Sequence, residues 1–112
     1  MEVSNKWTEI YVAKDGKEPF QQWFDSLKDI RGQVKIINRI ARLRLGNLGD
    51  CRTIKSGVHE LRIDYGPGYR VYFGNIDFGI ILLLCGGGKD NQESDIKRAL
   101  DYWDDFMNRR KR

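Results

Sequence analysis

Histidine, cysteine and proline are all scarce in this 112-residue chain, which holds one, two and two of them. Each shortage removes a class of function. Cys51 and Cys85 lie far apart, with no Cys-x-x-Cys pair and a single imidazole to join them, so no metal site is expected. Cys85 ends an apolar segment and reads as a small buried hydrophobe, whereas Cys51 reads as part of a polar loop. The longest apolar run, Ile80 to Cys85, is too short to span a bilayer, and no membrane role is expected. Residues 1–6 lack the apolar segment of a signal peptide, so a cytoplasmic protein is expected. Repeats and low-complexity tracts are missing as well. With 40% hydrophobic and 32% charged residues, the chain reads as one folded domain over residues 1–112.

Two familiar motifs are absent despite partial matches. Gly86-Gly87-Gly88-Lys89 lacks the spacing of a phosphate-binding loop, and Asp90 stands where a hydroxyl would bind magnesium. His59-Glu60-Leu61-Arg62-Ile63 lacks the second histidine of a zinc-protease helix and reads as a strand. His59 alternates onto the face of Leu61 and Ile63 and reads as a partly buried structural histidine, the alternative being a functional role for the chain's one imidazole. No cofactor is expected.

What the chain does have is uneven charge. Its net charge is +4, but residues 31–70 hold nine basic and three acidic side chains, and residues 109–112 are all basic. Such clustering attracts polyanions if folding gathers it on one surface. The tail 109–112 reads either as such a contact or as a flexible, solvated end.

Residues 7–12, rich in aromatic and β-branched side chains, predict a strand. Pro19 opens a helix whose Phe20, Trp23, Phe24 and Leu27 form a core stripe. A second helix runs to about Leu45. Val34, Ile37, Ile40, Ala41 and Leu45 are expected to face inward, with Arg31, Lys35, Arg39 and Arg42 outward. That basic face is either simply solvated or a contact for a nucleic-acid backbone. A polar connection over residues 46–57 follows, with an extended piece near Thr53 to Lys55. Phe78 to Leu84 predicts a strand buried on both faces, after a short turn at Asn75 to Asp77. A last helix spans roughly Gln92 to Asn108, with Ile96, Ala99, Leu100, Trp103, Phe106 and Met107 as its stripe. The order β-α-α-β-β-β-α predicts an α+β domain: a largely antiparallel sheet packed on one side by two N-terminal helices and a C-terminal helix.

The segment from Glu60 to Phe73 is the most informative. Its centre, Gly66-Pro67-Gly68, is a turn signal between two alternating strands. Alternation puts Leu61, Ile63, Tyr65, Tyr69, Val71 and Phe73 on one face, and Glu60, Arg62, Asp64, Arg70 and Tyr72 on the other. Arg62 and Arg70 either pair internally with Glu60 or Asp64, or hold an anionic ligand. Lys89, at the exit of the neighbouring strand, favours the ligand.

Taken in order, these residues resemble the toxins of the RelE/ParE superfamily, in the HigB-like group of addiction-module killer proteins. The resemblance covers most of residues 7–105. It is carried by the Phe20-to-Leu27 helix, Arg39-Ile40, Gly46 to Asp50, Gly57-Val58, Glu60 to Ile63, Tyr65 to Phe73, and the Leu-rich strand ending in Gly-Gly-Lys. It implies a RelE-like fold and a type II toxin neutralised by a cognate antitoxin, with a helix-turn-helix protein as the candidate. It also implies action on mRNA at the ribosome, and contact with operator DNA only through the antitoxin complex. In RelE-like nucleases, basic residues on the sheet surround the scissile phosphate. Arg70, in its Gly-Tyr-Arg context, matches the best preserved of these positions, and Arg62 and Lys89 match two others. Asp90 and Ile96 stand where RelE itself has an arginine and a tyrosine.

The expected activity is therefore a metal-independent mRNA endoribonuclease. Arg70 and Arg62 would bind the phosphate, Lys89 would assist the leaving oxygen, and Glu60 would act as the base. Tyr65, Tyr69 and Tyr72 would position or stack a base, and Lys35, Arg39 and Arg42 would follow the RNA backbone. The alternatives are a ParE-like inhibitor of DNA gyrase and a corepressor acting only with its antitoxin.

Overall fold

The computed structural model describes residues 7–76 and 79–111. The chain forms β1 (Trp7–Ile10), α1 (Pro19–Ser26), α2 (Ile30–Arg44), β2 (Cys51–Lys55), β3 (Val58–Ile63), β4 (Tyr69–Ile76), β5 (Ile80–Gly87) and α3 (Gln92–Arg110), with a short 3-10 turn at Lys89–Asn91. It is an α+β fold with one five-stranded mixed sheet, ordered β1-β5-β4-β3-β2. β1 runs parallel to β5, and the other three pairs are antiparallel.

The sheet has one strand more than expected. β2 makes a full strand of the extended piece expected near Thr53 to Lys55, closing a hairpin with β3 in which Arg52 lies opposite Glu60. Ser56 and Gly57, both at positive φ, make its turn. Cys51 is therefore a half-buried strand residue. β5 ends later than expected, because Gly86 and Gly87 continue the strand. Side chains there would collide with Trp23 and Asp95, so these glycines serve close packing across the sheet. The turn expected at Asn75 to Asp77 begins too early: Asn75 and Ile76 still belong to β4, and Asp77 and Phe78 lie outside the described residues.

The helices do not share one side of the sheet. Leu61, Ile63, Tyr69, Val71, Phe73, Ile81 and Leu83 pack with Phe20 of α1 and with Ile36 and Leu43 of α2. Val58, Tyr72, Leu82, Leu84 and Cys85 form a second core with Ala99 and Trp103 of α3. The unbroken apolar run of β5 requires this, since both of its faces need cover. Leu84 is the extra residue of a bulge opposite the Tyr72–Phe73 step. Burial pushes the Cys85 thiol up to about 12, as befits a small core hydrophobe.

The second helix is rotated from the expected phase. Ile36 and Leu43 are fully buried, while Val34, Ile37, Ala41 and Leu45 face outward. The helix start explains the choice. Asp29 caps α2 through the Gly32 N–H at 2.9 Å, and accepts the Tyr69 hydroxyl at 2.8 Å. A Cβ on Gly32 would come within 2.7 Å of the Tyr69 ring, so only glycine lets the sheet approach there. This clamp turns the Gly32–Ile36–Leu43 strip inward.

At the C-terminus, where a solvated tail was one expectation, Arg109 and Arg110 continue α3. Both are helical, and Arg109 donates to the Val12 carbonyl at 2.6 Å and pairs with Asp105 at 2.8 Å. Arg112 lies outside the described residues. Among those described, no helix is long and apolar enough to cross a membrane.

Candidate functional site

Pairing of β3 with β4 sets Arg62 directly opposite Arg70, and Glu60 opposite Tyr72. The turn between the strands is tight: Gly68 N–H donates to the Tyr65 carbonyl at 3.1 Å, with Gly66 and Gly68 both at positive φ. Lys89 packs against this turn, its Cβ 3.4 Å from the place a Gly68 side chain would occupy. An open cleft of about 410 Å³ results, lined among others by Arg62, Arg70, Lys89, Asp50, Asp64 and Pro67. Arg62, Arg70 and Lys89, expected near one another from the sequence, all line this cleft.

Glu60 organises the cleft's cationic wall from beneath. Its side chain is fully buried. Oε1 accepts from Arg52 Nε at 2.8 Å and Arg62 Nε at 3.0 Å, with Arg70 Nη1 at 3.5 Å. Oε2 accepts from the Tyr72 hydroxyl at 3.0 Å and from Gln92 Nε2 at 2.9 Å. Burial alone would raise this carboxyl's pKa, but the hydrogen bonds from Arg52, Arg62, Gln92 and Tyr72 prevail and bring it down to about 2. A carboxylate so buried and so fully paired cannot accept a proton from a substrate near neutral pH. This geometry speaks against the base expected for Glu60, whose carboxylate instead holds Arg52, Arg62 and Arg70 together.

The arginines are paired without being saturated. Three guanidinium groups meet one carboxylate, and with Lys89, Asp50 and Asp64 in the lining four cations stand against three carboxylates, a local balance positive by one charge. Arg52 and Arg62 engage Glu60 through Nε, which leaves their forked Nη ends outside that pairing. Arg70 Nε is buried with no hydrogen-bond partner among the described residues. An oxyanion in the cleft would neutralise the excess and could take the fork of Arg62 in bidentate fashion.

The rest of the expected RNA-binding set is dispersed. Tyr72 is fully buried and offers no ring face for a base to stack on. Burial, then the neighbouring Glu60 charge, raise its hydroxyl pKa, so it remains a neutral donor. The Tyr69 ring belongs to the core beneath α1 and α2, edge-on to Trp23. Tyr65 packs on the same core, under the Lys35 ammonium at 5.5 Å. Arg39 donates to the Leu48 carbonyl at 2.9 Å and shapes the loop that leads to Asp50. Lys35, Arg39 and Arg42 ride on α2, which covers the face opposite Glu60, and none of them lines the cleft. His59 stacks on Phe73 and lies 3.2 Å from the Thr53 hydroxyl and 3.3 Å from the Asn75 amide, as a structural histidine should.

Two residues of the cluster escaped sequence reasoning. Arg52 was legible in principle, because Ser56-Gly57 is a turn dipeptide that folds Arg52 back onto Glu60. Gln92 carried no such signal. It reaches Glu60 only because the chain turns back at Lys89–Asn91 to lay α3 over this face. Among the described residues, no group of three or more His, Cys, Asp or Glu side chains is placed to hold a metal ion.

No family model matches the chain. It is 49% identical over 80 residues to an uncharacterized protein of Haemophilus influenzae, an alignment that covers 71% of this chain and 81% of that protein. On that likeness the chain belongs to the same family as the Haemophilus influenzae protein.

Proposed function

We propose that this protein is the toxin of a type II toxin–antitoxin pair, of the RelE/ParE superfamily, and that it cleaves translated mRNA without a metal. The observation that carries the reading is the convergence of Arg62 and Arg70 from adjoining strands on one buried carboxylate, with Lys89 at the rim of the same open cleft. A rigid cationic cleft of this kind suits a phosphodiester whose charge grows during reaction. The element order, with two helices after the first strand and one after the last, is also the order expected of a RelE-like fold.

In this reading the ribose 2′-oxygen forms a bond to the adjacent phosphorus while the bond to the 5′-oxygen breaks. The products are a 2′,3′-cyclic phosphate and a 5′-hydroxyl. Arg70 and Arg62 hold the non-bridging oxygens. Since Glu60 is withdrawn from proton transfer, Asp64 at the cleft wall takes the 2′-hydroxyl proton, and Lys89 gives one to the departing oxygen. Tyr69 lines the cleft but its ring is buried against Trp23, so alignment of the RNA falls to the ribosome. A cognate antitoxin of the helix-turn-helix type neutralises the toxin in the cytoplasm, and operator DNA is met only by their complex.

The test is to map RNA 5′ ends after inducing expression of the chain and of Arg70→Ala. New 5′-hydroxyl ends and growth arrest, both lost in Arg70→Ala, are expected. Arrest accompanied by broken DNA and intact transcripts would replace this reading with gyrase inhibition. No arrest at all would leave a corepressor.

A further inference from the structure

The outward face of α2 belongs to neither core. Ile30, Val34, Ile37 and Leu45 are 77%, 50%, 53% and 58% exposed, and Ala41 is exposed between them. At about 3.6 residues per turn these five fall on one strip, roughly half a turn from Ile36 and Leu43. The helix thus has two apolar strips, and the sheet covers only one. Single exposed aliphatics are ordinary, but a continuous strip along a 15-residue helix marks a contact surface. Its border is charged in one sense. Arg31, Lys35 and Arg42 are exposed along one flank, and α2 contains five basic residues and no acidic one.

We propose that this face of α2 docks an acidic amphipathic helix of a partner protein. Such a helix would lay aliphatic residues at i, i+3, i+4 and i+7 along the strip and set Asp or Glu side chains against Arg31, Lys35 and Arg42. Charge decides among the occupants. A second copy would add a further set of cations and no carboxylates to the same interface. A nucleic-acid backbone would find its phosphates over aliphatic side chains. An anionic membrane would be met without the Trp or Phe anchors usual for a helix lying in the interface. The inference stands on α2 alone and holds whether or not the arginine cleft cuts RNA, since no residue of α2 lines that cleft.

The test uses the full chain and two synthetic amphipathic peptides of about five turns. Both carry leucine along one strip, flanked by glutamate in one peptide and by lysine in the other. Amide shifts report the site, and fluorescence anisotropy reports the affinity. The glutamate peptide is expected to shift Ile30, Val34, Ile37, Ala41 and Leu45, and to bind at least roughly tenfold tighter than the lysine peptide. Ile37→Asp should weaken it by at least roughly tenfold, and Arg31→Glu with Arg42→Glu should reverse the preference between peptides. These positions are exposed, and circular dichroism checks that each variant is folded. The proposal is overturned if neither peptide binds, if both bind equally, or if the shifts map to Arg62 and Arg70. It is equally overturned by self-association of the chain through α2, or by binding of phosphatidylserine vesicles through this strip in place of the peptide.

Discussion

Arg62 and Arg70 face each other across two hydrogen-bonded strands, and both turn toward the same Glu60 carboxylate. Like charges directly opposite in a sheet are destabilising, and here the shared counterion offsets that cost. Glu60 is thereby coupled to both the stability of the sheet and the shape of the cleft.

The first expectation concerns pH. The Glu60 carboxyl lies at about 2 in the folded chain against an ordinary 4.5. A depressed pKa contributes stability that is present above about 4.5 and is lost as pH falls toward about 2. Allowing for screening at the half-exposed arginines, this contribution is about 2 kcal/mol. Glu60→Gln should lower stability at pH 7 by roughly that amount and flatten the acid limb of the stability curve. Denaturant unfolding at several pH values measures both. Added phosphate should restore part of the loss, because it supplies the missing counter-charge.

Anion binding should separate the two faces of the sheet. A 2′-deoxy oligonucleotide cannot be cleaved through a 2′-hydroxyl and so reports binding alone. Arg62→Ala and Arg70→Ala should each weaken it by about tenfold and reduce the salt slope by about 0.7 per lost contact. Arg42→Ala should change neither quantity appreciably, because Arg42 does not line the cleft. Fluorescence titration across salt concentrations gives both.

A third expectation lies in the second core. Gly74 of β4 has the Trp103 ring directly over its Cα, where a methyl group would collide with the indole. Gly74→Ala should cost about 1–3 kcal/mol through overpacking. Trp103→Phe in the same chain should recover part of the loss. The denaturant midpoint should move with its slope unchanged.

The Asp29–Tyr69 contact should behave as one unit. Asp29→Ala removes both the helix cap and the acceptor for Tyr69, and should lower Tm by roughly 5 °C. Tyr69→Phe should lower it less. The two changes together should cost less than their sum, since each breaks the same hydrogen bond. Thermal unfolding of the three variants completes the cycle.

The elements that were legible in the sequence were those whose signals are local. Gly66-Pro67-Gly68 announced its hairpin, strand alternation placed Glu60, Arg62, Arg70 and Tyr72 together, and Pro19 opened α1. What failed depended on contacts between distant residues. Val34 and Ile37 looked like core because α2 carries two apolar strips, and only the Asp29–Tyr69 clamp selects between them. Glu60 looked like a base because alternation cannot reveal that Gln92 and α3 will cover its face. The same cover removes Tyr72 from any ligand.

The parallel pairing of β1 with β5 carries a kinetic consequence. Trp7 finds its neighbour only at Ile80, whereas the strands from β2 to β5 zip together through short loops. The meander can therefore form a hydrogen-bonded nucleus while the amino-terminal segment is still loose. On a chain emerging from its synthesis β1 waits for its partner β5, and the guanidinium cradle of Arg52, Arg62 and Arg70 waits on Gln92, about twenty residues beyond Arg70.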